Sequence, residues 1–279
     1  MKIDLFNIAN FKADGGAMFG VIPKAMWSRV YQPDDNNLID LTLRSLVIET
    51  GGHRIIVDTG WGDKQDEKFF RYAYIRGGES LFAGLESRGY SREDITDVFL
   101  THLHADHCGG AMVKTVKGYE PAFPNAVIHV SRAQLEWAVK NNLREADAYP
   151  RDNIEPIKDY SRLNLMEKDC ELFPGFSCFV CNGHTPGLMI PVINYNGKTI
   201  VYTGDLIPTV AHIPLIWNMG YDIESLKTID EKERLLKDAV EKNYILVFQH
   251  DKDVECCTVE MTPKGIRAKD KFRFKEIFE

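Results

Sequence analysis

No apolar run in this chain approaches the roughly 20 residues that a membrane-spanning helix needs. The N-terminus, Met1 to Asn10, alternates like a strand and lacks the continuous apolar stretch of a secretion signal. A cytoplasmic protein with no membrane partner is therefore expected. Basic blocks are missing too. The formal net charge is −7, and the one lysine-rich stretch, Lys264 to Lys275, is broken by Asp270, Phe272 and Phe274. Phosphate binding wants a concentrated basic surface, so no nucleic-acid partner is expected. The six cysteines form no framework. Cys178 and Cys181 are three apart in a strand-like run and face opposite sides, Cys256 and Cys257 are adjacent, and Cys108 and Cys170 stand alone. Reduced thiols are the expectation. There is no short repeat and no linker that demands a second domain. The remainder is an ordinary globular composition, 44% hydrophobic and 27% charged, in 279 residues. That length can bury a core without disulfides, and one domain spanning 1–279 is expected.

Against this background one stretch stands out, T-H-L-H-A-D-H-C-G-G from Thr101 to Gly110. It follows an apolar run, Ile95 to Leu100, that reads as a buried strand. In an extended strand end His102 and His104 project to the same side, while Asp106 and His107 come later and reach a different point. The spacing suggests two adjacent metal positions, one taking His102 and His104, the other Asp106 and His107. Imidazole with carboxylate suits zinc, iron, manganese or nickel.

Elsewhere the chain reads as alternating strands and helices. Residues 2 to 11 form an edge strand, followed by a small-residue loop from Asp14 to Gly20 that either approaches a ligand or crosses a sheet edge. Leu41 to Glu49 and Arg54 to Asp58 make a hairpin closed at Gly51-Gly52, with His53 exposed in its turn. Glu79 to Arg88 is a short helix. Ala126 to Val130 is a strand holding a packed His129, and Ser131 with Gln134 opens a helix by the capping-box spacing. Residues 143 to 170 read as an irregular surface excursion near the site. Leu172 to Cys181 and Thr199 to Thr203 are strands, and a long apolar loop runs from Leu206 to Tyr221. Thr228 with Glu231 makes a second capping box for a helix reaching about Asn243. Tyr244 to Phe248, Thr258 to Met261 and a short C-terminal segment supply the last strands. Histidine or aspartate recurs at strand ends, at Asp58, His102, His184, Asp205 and His250, as expected of a layered α/β fold that builds its site at one rim.

The T-H-L-H-A-D-H-C-G-G segment, with G-H-T-P-G at 183–187, T-G-D at 203–205 and F-Q-H at 248–250, resembles the metallo-β-lactamase-fold hydrolases in order and spacing. The resemblance implies an αββα sandwich, two mixed sheets flanked by helices. It also implies two divalent cations, zinc first, with manganese or iron as alternatives. His102, His104 and His184 would hold one, Asp106, His107 and His250 the other, and Asp205 would bridge them. Asp58 matches the strand-end aspartate that orients ligands in that superfamily. Finer similarity, in D-G-G-A-M-F-G-V-I-P-K-A-M-W and in D-L-I-P-T-V-A-H-I-P-L-I-W, is to the quorum-quenching lactonases. One departure is Pro208, where some acyl-homoserine lactonases carry a tyrosine, so that phenol's assistance is absent unless Tyr221 or His212 takes over.

The chemistry expected is metal-dependent hydrolysis, the opening of acyl-homoserine or related γ-lactones by a hydroxide shared between two metals. Asp106 is the candidate proton carrier to the leaving alkoxide. Phe19, Trp27 and Trp217, with Met18 and Met219, are placed in an apolar substrate groove, the alternative being that they belong to the core. His212 either contacts substrate or orients its loop. Competing readings are a phosphotriester or arylester hydrolase, a mononuclear iron dioxygenase, and a metal-stabilised binding protein. A homodimer through the N-terminal loop follows from family analogy alone.

Overall fold

The computed structural model describes residues 1–140 and 142–278. The chain opens with β1 (Lys2–Asp14), two short helices, α1 (Gly15–Phe19) and α2 (Lys24–Trp27), and the strands β2 (Leu38–Thr50) and β3 (His53–Val57). Helices α3 (Glu67–Phe70) and α4 (Leu81–Glu86) lead to β4 (Asp97–Phe99), α5 (Ala105–Cys108) and a small hairpin, β5 (Met112–Thr115) with β6 (Gly118–Pro121). Then come β7 (Val127–Ser131), α6 (Arg132–Lys140), α7 (Arg151–Lys158) and β8 (Leu163–Met166). The second half holds β9 (Cys170–Phe173), β10 (Phe176–Cys181), β11 (Leu188–Tyr195), β12 (Lys198–Tyr202), α8 (Ser225–Glu241), β13 (Ile245–Val247), β14 (Cys256–Thr262) and β15 (Gly265–Phe272).

Two mixed sheets result, ordered β1-β2-β3-β4-β7-β8 and β15-β14-β13-β12-β11-β10-β9. The layering follows from strand alternation. On β2 the odd residues Leu41, Leu43 and Val47 face the helices of the first half, while Leu46 and Ile48 face the other sheet. Phe99 and Phe176 meet edge-on between the sheets, and α8 covers the second sheet through Leu235, Leu236 and Ala239. The expected αββα sandwich is therefore present. No helix among the described residues is long and apolar enough to cross a membrane.

Several local expectations need correction. The loop from Asp14 to Gly20 contains α1, because the Asp14 carboxylate accepts from Ala17 N at 2.8 Å and caps a helical turn. Residues 143–170 are not irregular throughout, since they contain α7 and β8. The strand read from Leu172 to Cys181 is two strands folded at Pro174-Gly175, where Gly175 has φ +76°. Cys170 does not stand alone: it lies directly opposite Cys178 in the β9–β10 pairing. All six cysteines are free. Strand β11 escaped the sequence reading because Pro191 interrupts its pattern. His53 is not simply exposed. Its Nδ1 lies 2.8 Å from Asp97, whose other oxygen accepts from His129 Nε2 at 2.7 Å.

Candidate metal centre

Strands β3, β4, β12 and β13 point their carboxyl ends to one rim, and the loops leaving that rim carry the strand-end residues. After β4 the backbone stays extended to His104 (φ −61°, ψ 150°), then closes into the single turn of α5. This change of conformation separates His102 and His104 from Asp106 and His107. The turn is held tightly. A Cβ on Gly109 would stand 1.9 Å from Trp61 O, so only glycine fits where this loop meets the 60–62 segment.

His184 leaves β10 on a loop braced from α8. The Glu231 carboxylate accepts from Asn182 N at 2.7 Å and Gly183 N at 3.0 Å. A Cβ on Gly183 would lie 2.3 Å from Thr228 N, which explains the glycine before the histidine. Glu231 thus braces this loop rather than a capping box; α8 begins earlier, at Ser225. Asp205 sits in a 3₁₀ turn after β12. His250 follows β13, with its N–H donating to Pro208 O at 3.1 Å, and buried Arg44 holds the flanking carbonyls of Phe248 and Asp251 at 3.0 and 2.5 Å.

All seven side chains converge in two neighbouring groups, His102, His104, His184 and Asp205 in one, Asp106, His107 and His250 in the other. Asp205 spans them: its Oδ2 lies 3.2 Å from His184 Nε2 and 3.6 Å from His107 Nε2, its Oδ1 2.9 Å from His250 Nε2. Every histidine spends a proton on its outer side. His107 Nδ1 donates to Asp58 at 2.9 Å, His184 Nδ1 to Asp222 at 2.9 Å, His250 Nδ1 to Thr42 O at 2.9 Å, and His104 Nε2 to Glu145 at 3.3 Å. Thr101 donates its hydroxyl to Asp58, so its oxygen accepts from His102 Nδ1 at 3.1 Å. Each ring therefore turns its other nitrogen inward, the arrangement that orients imidazoles in metal sites. His104 Nδ1 lies 3.0 Å from His102 Nε2 and 3.2 Å from His184 Nε2. With the outer nitrogens' protons engaged elsewhere, these close contacts need positive charge between them, a proton or a cation. His107 Nε2 and Asp205 Oδ1 are buried without a hydrogen-bond partner among the described residues.

The electrostatics agree. Burial alone would lower His107 and His184. Asp106, Asp205 and Asp58 nevertheless hold His107 well above the usual imidazole range, and Asp205 and Asp222 hold His184 up to about 10. Burial and neighbouring imidazoles drive His102 well below that range. Asp205, which burial would raise, is held far below the usual carboxylate range by His107, His250 and His184. The site attracts positive charge, and His/Asp donors suit divalent cations such as zinc.

A cavity of about 1270 Å³ opens onto His104, Asp106, His184, Asp205 and His250. Met18 and Met219 line it. Phe19, Trp27, His212 and Trp217 do not, and their assignment to the substrate groove is corrected. Phe19 and Trp27 are fully buried and stacked at 5.4 Å, His212 stacks on Phe19 at 4.8 Å, and half-buried Trp217 meets Phe19 edge-on. Both ring nitrogens of His212 are occupied, Nε2 by Met18 O at 2.8 Å and Nδ1 by Thr209 at 2.7 Å, and burial pushes it down to about 3. It orients its loop. Sequence reasoning missed Glu145, Asp222, Thr101 and Gln249, which lie behind the inward-facing side chains. Glu145 also accepts from Trp137 Nε1 and Asn142 Nδ2, both at 2.7 Å.

Comparison with known proteins places this arrangement. The metallo-beta-lactamase superfamily description matches residues 44–250. The structure of a probable metal-dependent hydrolase from Staphylococcus aureus is 31% identical, covers 97% of this chain and 96% of that one, and superposes with a TM-score of 0.88. An N-acyl homoserine lactonase of Bacillus sp. is 30% identical over 160 residues, 54% of this chain and 57% of the relative, so the match spans little more than half that relative's length. AidC, a dizinc quorum-quenching lactonase, shares the fold with a TM-score of 0.80 at 21% identity, covering 97% of this chain and 95% of that one. The chain belongs to the metallo-beta-lactamase superfamily.

Proposed function

We propose that this protein is a hydrolase that opens acyl-homoserine or related γ-lactones, using two divalent cations, zinc first. His102, His104 and His184 would hold one, Asp106, His107 and His250 the other, with Asp205 between them. The observation that carries the reading is the set of five imidazoles whose outer nitrogens are all engaged and whose other nitrogens converge on shared carboxylates. Divalent cations bound there would make hydroxide available at neutral pH and polarise the carbonyl under attack. The lactonase relatives direct the choice of substrate.

The chain's own residues do the rest. Asp106 is the most open of the seven, its side chain 19% exposed against 9% for Asp205, and it lines the cavity. From there its carboxylate can carry a proton to the departing alkoxide. Phe11, Met18, Leu41, Trp61 and Met219 give the cavity an apolar side for an acyl chain. Tyr221 also lines the cavity, and its hydroxyl makes no hydrogen bond among the described residues. Tyr72 and Tyr74 line the cavity as well, but Tyr221 stands at the end of the loop that carries Pro208, and it is the phenol we assign the part of the missing tyrosine.

The test combines elemental analysis of purified protein with assays on N-hexanoyl-homoserine lactone, paraoxon and glutathione persulfide. Two metal equivalents with lactone opening, abolished in Asp205→Ala and His107→Ala, are expected. Paraoxon turnover alone, or one iron with oxygen uptake on the persulfide, would overturn the reading.

A further inference from the structure

One buried charge serves none of the groups above. Lys232, on α8, is 1% exposed, and no carboxylate lies within ion-pair distance among the described residues. Its ammonium donates to Trp217 O and Asn218 Oδ1, both at 2.9 Å, and also lies 3.2 Å from Pro214 O and Leu215 O. Burying an ammonium is unfavourable unless its protons are bonded. Here three protons face four oxygens, and all four belong to residues 214–218.

That stretch feeds directly into the site. Met219, Gly220 and Tyr221 line the cavity, and Asp222 takes the Nδ1 proton of His184. Asn218 Nδ2 donates back to Ser225 O at 2.8 Å, Gly220 N donates to Ala17 O at 2.7 Å, and Arg144 across the cavity donates to Gly220 O. Residues 214–218 have no strand or helix of their own to hold them. Lys232 holds them to α8 from behind, and the wall hangs from that anchor.

We propose that Lys232 is a positioning residue of the cavity: by tying residues 214–218 to α8 it sets the wall from Met219 to Tyr221 and hence the fit of a substrate's acyl side. The part concerning substrate rests on the lactonase reading; the tie itself does not. Lys232→Met keeps an unbranched chain one atom shorter and removes the amine, and Lys232→Gln restores two donors. Hydrogen exchange read by mass spectrometry on the full chain should quicken about tenfold or more over 214–223 in Lys232→Met, where the amine's hydrogen bonds to four oxygens are lost. Exchange over 102–107 should stay unchanged, and Lys232→Gln should fall between the two. In kinetics, KM for N-decanoyl-homoserine lactone should rise about tenfold with kcat within about threefold, while KM for γ-butyrolactone, which has no acyl chain, should rise less. Wild-type exchange over 214–223 in Lys232→Met, an equal quickening everywhere, or a fall in kcat without a change in KM would each overturn the proposal. Should Lys232→Met not fold, Lys232→Gln against wild type carries the same comparison. Should the wild type open neither lactone, the lactonase reading fails and the exchange comparison alone decides the tie.

Discussion

Replacing Asp58 by asparagine would test how the candidate metal centre is held without replacing any of the seven inward-facing residues. Asp58 is fully buried at the end of β3. Its Oδ1 accepts from Thr101 N at 2.8 Å. Its Oδ2 accepts from the Thr101 hydroxyl at 2.8 Å, His107 Nδ1 at 2.9 Å and Gln249 Nε2 at 3.1 Å. Asparagine has the same shape and tolerates the residue's φ of +56° about as well as aspartate, so the backbone contributes little to the difference. One oxygen becomes an amino group. Turned toward Thr101 N, that group loses one bond and leaves a buried donor facing a donor, costing about 1–3 kcal/mol. Turned toward Oδ2's partners, it loses three bonds, so the first orientation wins. The remaining bonds also drop from charge-assisted to neutral, roughly halving each. A loss of about 2–4 kcal/mol follows, measured by urea denaturation of chelator-treated protein. His107 loses the carboxylate that orients it, so zinc affinity, titrated against a competing chelator, should fall about 10- to 100-fold. Asp58→Gly and Asp58→Ala separate the backbone from the carboxylate, because alanine alone pays about 1 kcal/mol for the left-handed conformation. If Asp58→Asn matches the wild type in both denaturation midpoint and zinc affinity, the carboxylate does not brace His107 and the reasoning fails.

Three further outcomes are expected. Glu145→Gln sets an amide donor against either His104 Nε2 or Trp137 Nε1, so zinc binding should split, weakening about 10- to 100-fold at the His102–His104–His184 group and holding at the other; a single unchanged isotherm would refute it. Trp27→Ala empties a core position and should cost about 3–5 kcal/mol in urea while leaving the zinc stoichiometry of the folded protein intact; a change in KM without loss of stability would instead return Trp27 to the substrate groove. Burial alone would raise Asp97, but hydrogen bonds from His129, Thr96 and His53 hold it below the usual carboxylate range. Its stabilising effect is therefore present above its unfolded pKa of about 3.9 and is lost as pH falls through the lower folded value. Asp97→Asn should cost about 2 kcal/mol in urea at pH 7, and the gap from wild type should narrow steadily as pH falls below about 3.9; a gap independent of pH would show that the charge is not what matters.

The inward-facing residues were legible because each is announced locally. A run of apolar residues ends, and a histidine or aspartate follows where the strand meets the rim. The groups behind them carry no such sign. Glu145 lies 41 positions from His104 and Asp222 lies 38 from His184, so only the closed fold brings them together. Residue type also misled where it was ambivalent: an aromatic serves a groove or a core equally well, and packing sent Phe19 and Trp27 inward while leaving Met18 and Met219 on the cavity. Glu231 shows the competition most clearly. Thr228 and Glu231 have the capping spacing, yet α8 begins three residues earlier and Thr228 N already donates to Glu224 O at 3.0 Å. The carboxylate is then free for Asn182 N and Gly183 N, which turn out of β10. A local pattern states which bonds a side chain can make, and the donor without another acceptor decides which one it does make. Here that donor belongs to the loop that presents His184.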